Sequence, residues 1–247
     1  MRRDEWQVWA PTLGTTGHVV AYGHWGRPVL YFPCEGGSAY DMEQHGIVHT
    51  LAPAIEAGRI KLYTVDANDL WSWSNQSIPS EERARRHDAW FAWITDEVAP
   101  AIHGDCGGWQ PIVTAGASMG AYHAVNAALR RADLFPHAVG MSGNYDPSHW
   151  HAWGEQGAAM YFNNPMAFVP NLHGEHLDWL RSRLFVQLAV GSGAFEEHPT
   201  RALPGSWALA HALWDKGIGC SLDVWGTDTP HDWPSWQRMA AKHLAPL

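Results

Sequence analysis

Short β-rich apolar runs alternate along the chain with longer amphipathic or alanine-rich segments. This alternation predicts strands and helices in turn, which is typical of an α/β sheet with crossover connections. We predict eight strands, at Gln7–Pro11, His18–Tyr22, Pro28–Phe32, Ile60–Val65, Pro111–Ala115, His137–Met141, Leu184–Val190 and Ser221–Trp225. The first two flank the turn sequence Gly14-Thr15-Thr16-Gly17, so we expect an antiparallel hairpin there. The later runs are short and apolar, as in parallel strands covered on both faces.

The segments between these strands predict five main helices. They are expected at Tyr40–Ala57, from Ser80, from Met119, at Ala202–Lys216 and after Pro234. Ser80 precedes two glutamates and has the features of a helix N-cap. The stretch Asp146–Leu180 is the least regular, and we expect it to form an excursion over one sheet edge. The fold class is therefore α/β: a mostly parallel central sheet of about eight strands with helices on both faces, in a single domain over residues 1–247.

Composition narrows the class of protein. Hydrophobic residues make up 46% and charged residues 17% of the 247 residues, which is a core-forming composition. The 16 basic and 25 acidic side chains give a net charge of −9, which argues against nucleic acid or a membrane surface as partner. No apolar run reaches the roughly 18 residues of a bilayer span, and Met1-Arg2-Arg3 is followed by acidic residues, unlike a signal peptide. Three cysteines without a CxxC pair predict reduced thiols in a cytoplasmic protein.

One motif carries chemistry: Gly116-Ala117-Ser118-Met119-Gly120. An apolar predicted strand precedes it and a predicted helix follows it, so Ser118 would lie on a sharp strand-to-helix turn. The flanking glycines provide the room that such a turn needs. The helix N-terminus would direct free N–H groups towards a developing oxyanion. The motif indicates a nucleophilic serine, although an ordinary glycine-rich turn opening a helix is the alternative.

A serine nucleophile needs a base, and the chain has 16 histidines from which to choose it. In α/β enzymes with this serine turn, the order is Ser, acid, His, with the histidine after the last strand. His231 meets this requirement, in the loop Gly226-Thr-Asp-Thr-Pro-His231-Asp-Trp. The pairs His45/His49 and His173/His176 lack a third nearby ligand, so we expect no metal site.

The acid is expected just past the strand Leu184–Val190. Glu196 is the first choice, Glu197 is the reserve, and Asp228 is an alternative if both glutamates are only solvated. Gly191-x-Gly193 in the same loop has part of a dinucleotide-binding pattern. Glu196 occupies the third glycine position of that pattern, so we expect no NAD and no other cofactor.

Two backbone N–H groups should form an oxyanion hole. One is that of Met119, and the other comes from the loop after the third strand, at Glu35 or Gly36. The neighbouring Cys34 is interpreted as a small buried hydrophobic residue rather than as a nucleophile.

With these residues in place, the sequence resembles the esterase branch of the α/β-hydrolases, the group that contains S-formylglutathione hydrolases, feruloyl esterases and bacterial mycolyltransferases. The motifs that carry the resemblance are Gly116–Gly120, Leu222–Gly226, His231–Trp236, Phe32-Pro-x-x-Gly-Gly, Tyr161–Met166 and Ser142–Asp146. The resemblance implies an α/β-hydrolase fold and ester hydrolysis through an acyl-enzyme, with Ser118 as nucleophile, His231 as base and Glu196 as acid. Two features depart from the better-known members: the oxyanion loop lacks their His-Gly pair, and the acid is Glu where many have Asp.

The first functional hypothesis is a serine carboxylesterase acting on a small-molecule ester, with Trp73 and Trp233 as walls of the substrate pocket. Plain core packing is the alternative for either tryptophan. Acyl transfer or thioester cleavage would use the same residues. The second hypothesis is a binding module on an esterase scaffold that holds a glycan or another ligand without turnover. A homo-oligomer is compatible with the sequence.

Overall fold

Eight strands form one continuous sheet in the computed structural model, which describes Met1–Leu247. The strands are β1 (Arg3–Ala10), β2 (Thr15–Tyr22), β3 (Arg27–Phe32), β4 (Ile60–Val65), β5 (Val113–Ala117), β6 (His137–Met141), β7 (Phe185–Val190) and β8 (Gly219–Val224). Their order across the sheet is β1-β2-β4-β3-β5-β6-β7-β8. β2 runs antiparallel to both β1 and β4, and every other pairing is parallel. The predicted mostly parallel sheet is confirmed.

The helices cover both faces of this sheet. They are α1 (Asp41–Gln44), α2 (Ile47–Glu56), α3 (Ser80–Trp93), α4 (Ala99–Asp105), α5 (Met119–Arg130), α6 (Ala158–Phe162), α7 (Pro165–Phe168), α8 (Gly174–Arg181), α9 (Ala202–Asp215) and α10 (Trp233–His243). Alternate residues of β3 enter different cores: Leu30 and Phe32 belong to the core that contains residues of α3, α5 and α9, whereas Val29 and Tyr31 belong to the core that contains residues of α2 and α10. Both faces are therefore apolar, as the sequence of the strand indicates. No helix is both long and apolar enough to cross a membrane.

The N-terminal hairpin is longer than predicted, because β1 begins at Arg3 rather than at Gln7. Its side chains alternate between exposed and half-buried positions, as expected of a strand at the edge of a sheet. Polar residues at the start of the strand hide this alternation in the sequence. Pairing of Arg3 with Tyr22 in β2 extends the ladder through that polar stretch.

Two helix predictions are corrected. The single helix expected at Tyr40–Ala57 is divided, because Gly46 adopts a left-handed conformation with φ of 77° between α1 and α2. Ser80 is not the N-cap of α3; Pro79 holds that position. The Ser80 hydroxyl instead donates to the carbonyl oxygen of Trp153 at 3.0 Å, and its oxygen accepts from the Trp153 backbone N–H at 2.9 Å.

The irregular stretch between β6 and β7 forms three short helices, α6 to α8, and lies against α3. Glu81 of α3 accepts hydrogen bonds from the backbone N–H groups of Gly157, Ala159 and Met160, at 2.8 to 3.1 Å. A carboxylate at the N-terminus of α6 offsets the unpaired donors there. This contact holds the connection against the sheet, so that its first residues border the cleft described next.

Candidate active site

Ser118 lies on the sharp turn that joins β5 to α5, with φ of 55° and ψ of −122°. A Cβ atom on Gly116 would overlap the carbonyl oxygen of Gly120, and one on Gly120 would lie 2.5 Å from the carbonyl oxygen of Pro33. Only glycine fits at these two positions, because the neighbouring atoms belong to the backbone. The glycines of the motif therefore have the steric role that the sequence predicts, and the turn projects the Ser118 side chain away from the sheet.

The structure brings together the three side chains that the sequence nominates as a triad. His231 Nε2 lies 3.0 Å from Ser118 Oγ, and His231 Nδ1 lies 3.2 Å from Glu196 Oε2. The backbone N–H of His231 donates to the carbonyl oxygen of Ala194 at 2.9 Å, which ties the histidine loop to the loop of the acid. The reserve candidate Glu197 is exposed and takes no part in this arrangement. Glu196 itself is completely buried.

The other alternative acid, Asp228, also lies outside the site. Its side chain is 79% exposed and faces Arg238 at 3.8 Å. Sequence position does not distinguish Glu196, Glu197 and Asp228, because each follows a strand at the same end of the sheet. They differ in that Glu196 alone is buried and hydrogen-bonded to His231.

Ser142 is a functional candidate that the sequence interpretation missed. Its hydroxyl donates to Glu196 Oε1 at 2.5 Å, so both oxygens of the buried carboxylate are hydrogen-bonded. Ser142 follows β6 with φ of 53°, and its N–H donates to the Ala189 carbonyl oxygen of β7 at 2.8 Å. The available signal was the Ser-Gly pair at the end of a strand beside β7. That signal gives no indication of a contact 54 residues away.

The two backbone N–H groups expected to form the oxyanion hole, those of Met119 and Glu35, have no acceptor within the protein. The Gly36 N–H, the alternative donor from the sequence, is engaged by Asp69 Oδ2 at 3.3 Å. Asp69 is buried and its other oxygen accepts from His123 Nε2 at 2.9 Å. Asp69 therefore fixes the loop after β3 and leaves the Glu35 N–H free. Neither Asp69 nor His123 was foreseen in this position.

A cleft of about 280 Å³ opens above Ser118, and its lining is mainly polar. The lining side chains come from the loops that follow β3, β4, β5, β6, β7 and β8 and comprise Glu35, Trp73, Ser74, Gln76, Ser118, Met119, Ser142, Asn144, His149, Trp150, His151, Pro199, Thr200, Arg201 and His231. Trp73 borders the cleft as expected. It is 3% exposed and packs edge-on against Tyr122 and Trp150, so it has core packing as well.

Trp233 does not line the cleft, and that expectation is corrected. Its ring stacks on His45 with a centroid separation of 4.2 Å and packs edge-on against Trp236. Trp236, in turn, meets the ring of His231 at 5.0 Å. The N-terminus of α10 turns Trp233 towards α1 and away from the serine, whereas its sequence distance from His231 is only two residues.

Burial shifts the pKa of two other side chains with reactive groups, those of Cys34 and His87. Burial raises the pKa of the Cys34 thiol, whose sulfur lies 3.5 Å from the Ala117 carbonyl oxygen, so the reactive thiolate is disfavoured. Burial and the neighbouring His123 lower the pKa of His87 well below 6.5, so this histidine is neutral. No group of three or more His, Cys, Asp or Glu side chains is placed to hold a metal ion.

The sheet order, the helices on both faces and the serine turn define an α/β-hydrolase fold. The chain belongs to the Esterase family, whose family model matches residues 42–246. It is therefore a hydrolase.

Several solved structures share this fold over almost the whole chain. A ferulic acid esterase is 17% identical with a TM-score of 0.74, over 99% of this chain and 96% of its own. S-formylglutathione hydrolase from Agrobacterium tumefaciens is 18% identical with a TM-score of 0.73, over 98% and 92%. MPT51 (FbpC1) from Mycobacterium tuberculosis is 16% identical with a TM-score of 0.75, over 100% and 97%. Comparison with curated proteins finds no match.

Proposed function

We propose that the protein is a serine carboxylesterase that hydrolyses small-molecule esters through an acyl-enzyme. The observation that carries the proposal is the continuous hydrogen-bonded chain from Ser118, which lines the cleft, through His231 to the buried Glu196. A nucleophile beside a base, with the base oriented by a third group, is the arrangement that activates a hydroxyl for acyl transfer.

In the acylation step, Ser118 Oγ attacks the ester carbonyl carbon while His231 Nε2 takes the hydroxyl proton. The carbonyl oxygen becomes an oxyanion, which the free N–H groups of Met119 and Glu35 stabilise by hydrogen bonds. The tetrahedral intermediate then expels the alcohol, whose oxygen receives the proton from His231. Water repeats the sequence on the acyl-enzyme: His231 accepts a water proton, the hydroxide adds, and Ser118 leaves with the proton returned.

Glu196 has a supporting role in this mechanism. Its Oε2 accepts a hydrogen bond from His231 Nδ1–H, which fixes the tautomer that leaves Nε2 free to accept from Ser118. Its second oxygen is held by the Ser142 hydroxyl, so the carboxylate cannot rotate away from the histidine. Because the carboxylate is buried, its interaction with the imidazolium that forms during attack is little screened by water.

The first experiment is intact-mass analysis after exposure to a fluorophosphonate, which forms a covalent adduct with activated serines. We expect one adduct at Ser118, absent from Ser118→Ala and from His231→Ala. Ser182→Ala and His24→Ala are matched controls, because both side chains are exposed and lie outside the cleft. Release of 4-nitrophenol from 4-nitrophenyl acetate should follow the same pattern.

A folded wild-type protein without an adduct would contradict the mechanism and favour a binding module. Thermal unfolding of each variant shows whether it is folded. Product analysis with an added alcohol, for which acyl transfer would give a new ester, separates hydrolysis from transfer.

A further inference from the structure

Arg201 has an unpaired charge in a protein in which nearly all other lysine and arginine side chains have a partner. Of the 16 lysine and arginine side chains, 14 make a hydrogen bond or an ion pair with another group of the chain. The two without one are Arg27 and Arg201. With a net charge of −9, the protein has a surplus of carboxylates that could have neutralised either side chain. The positions of Arg27 and Arg201 therefore indicate whether either side chain could bind a substrate.

Arg201 lines the candidate active-site cleft. It precedes α9 with φ of 57°, and its carbonyl oxygen accepts from the Gly205 N–H at 2.8 Å. The preceding carbonyl, that of Thr200, accepts from Asn144 Nδ2 at 3.2 Å. These bonds fix the backbone from which the Arg201 guanidinium extends.

Arg27 lies at the opposite end of the sheet. It begins β3, and Phe32 at the other end of that strand pairs with Gly116 of the serine turn. Five residues of strand separate Arg27 from that turn by about 16 Å. The two unpaired arginines thus differ in the one property of interest, which is access to Ser118.

The other charges of the cleft leave Arg201 as its one unpaired permanent charge. The Glu35 carboxylate accepts from Ser74 Oγ at 2.5 Å, and His149 faces Asp146 at 3.8 Å. Glu35 follows β3 and Arg201 follows β7, on opposite sides of β5 in the sheet. An anionic substrate group on the side of Arg201 is therefore separated from the Glu35 carboxylate by Ser118.

The side of the cleft on which Arg201 lies determines which part of a bound ester it would contact. His231 returns its proton to the leaving oxygen, so the alcohol portion lies towards His231. The connection that carries Arg201 also carries Ala194, whose carbonyl oxygen accepts from the His231 N–H at 2.9 Å. Arg201 and His231 therefore border the same half of the cleft.

We propose that Arg201 is a specificity-determining residue that binds a carboxylate on the alcohol portion of the substrate. The substrate class is then the ester of a hydroxy acid, in which the hydroxyl is acylated and the carboxylate is free. A guanidinium matches a carboxylate in charge and in its two parallel N–H groups. This inference rests on the proposed ester hydrolysis at Ser118.

The test compares 4-acetoxybenzoate with 4-acetoxybenzamide, which share the acyl group and a phenolic leaving group but differ in charge. For the wild-type protein, we expect kcat/KM to be about tenfold higher for the benzoate, which is the size of effect that one charge-assisted hydrogen bond produces. In Arg201→Gln this ratio should fall to about one. Arg201→Lys should retain part of the preference, and Arg27→Gln should retain all of it. Added salt should reduce the preference in the wild type.

A direct binding measurement makes the result independent of turnover. Each ester is titrated calorimetrically into Ser118→Ala and into the double variant Ser118→Ala/Arg201→Gln. Ser118→Ala should bind the benzoate about tenfold more tightly than the benzamide. The double variant should bind the two esters equally. Equal binding of the two esters by Ser118→Ala, or a ratio that Arg201→Gln leaves unchanged, would overturn the role of Arg201. Failure of ester hydrolysis itself would appear separately, as the absence of both the fluorophosphonate adduct and benzamide turnover.

Discussion

Replacing Ser142 by alanine tests how much the carboxylate of the proposed triad depends on a residue outside it. The Ser142 hydroxyl donates at 2.5 Å to an oxygen of Glu196, which is fully buried. The substitution therefore removes a hydrogen bond to a charged group. Such bonds contribute about 2 kcal/mol. In a chain of 247 residues, this loss corresponds to a decrease in Tm of about 4–8 °C.

The same substitution should lower activity. A carboxylate held by one bond can rotate away from His231 Nδ1, so a smaller fraction of molecules has the histidine in the reactive tautomer. We expect kcat for 4-nitrophenyl acetate to fall by about tenfold, with little change in KM, because Ser142 orients a catalytic group rather than the substrate. The labelling rate with a fluorophosphonate should fall in parallel.

Ser206→Ala is the matched control. Ser206 is equally buried, but its hydroxyl donates to a neutral acceptor, the carbonyl oxygen of Gly143 at 3.3 Å. We expect a smaller loss of about 1 kcal/mol and an unchanged kcat. If Ser142→Ala unfolded within 1 °C of the wild type and kept its kcat, the reasoning about the buried carboxylate would be refuted.

Three further predictions address other parts of the structure. Gly120→Ala places a Cβ atom 2.5 Å from the backbone oxygen of Pro33, so it should lower the free energy of unfolding by about 1–3 kcal/mol and kcat by at least tenfold, as measured by thermal unfolding and ester turnover. Asp69→Ala removes the acceptor of the Gly36 N–H and should reduce kcat by about tenfold with KM almost unchanged. Asp69→Asn keeps one acceptor oxygen and should retain most of the wild-type kcat. Equal rates in both variants would contradict this role of Asp69. Burial lowers the pKa of His137 from 6.5 to about 4, so its neutral form stabilises the fold above pH 6.5 and up to about 3 kcal/mol is lost as pH falls towards 4. His137→Gln should therefore flatten the dependence of Tm on pH across that window, and an unaltered slope would count against the assignment.

The sequence allowed the sheet to be predicted well because its signals are local. β4 and β6 have the predicted bounds, because a short apolar run between turn residues is typical of a buried strand. The serine turn is local only in part: Gly116 is required by the backbone of Gly120, four residues away, whereas Gly120 is required by the backbone of Pro33, which lies far away in the chain. His231 was found from its order in the chain and its place after the last strand.

The remaining features depend on contacts between distant segments. The Ser142 bond to Glu196 joins residues 54 positions apart, and the bond between Asp69 and His123 joins another pair of that separation. No spacing rule brings such pairs together before the sheet order is known. Trp233 illustrates the opposite error: it is close to His231 in sequence, but the start of α10 turns it to the other side.

The candidate catalytic groups and part of the cleft wall come from different connections. Ser118, His231 and Glu196 follow β5, β8 and β7, whereas His149, Trp150 and His151 belong to the connection between β6 and β7. The candidate reactive groups are thus attached to the ends of the strands, whereas this part of the cleft wall belongs to a connection that packs against α3. Grafting a different connection between β6 and β7 that retains Ser142 would be a route to new substrate ranges that leaves the reactive groups in register.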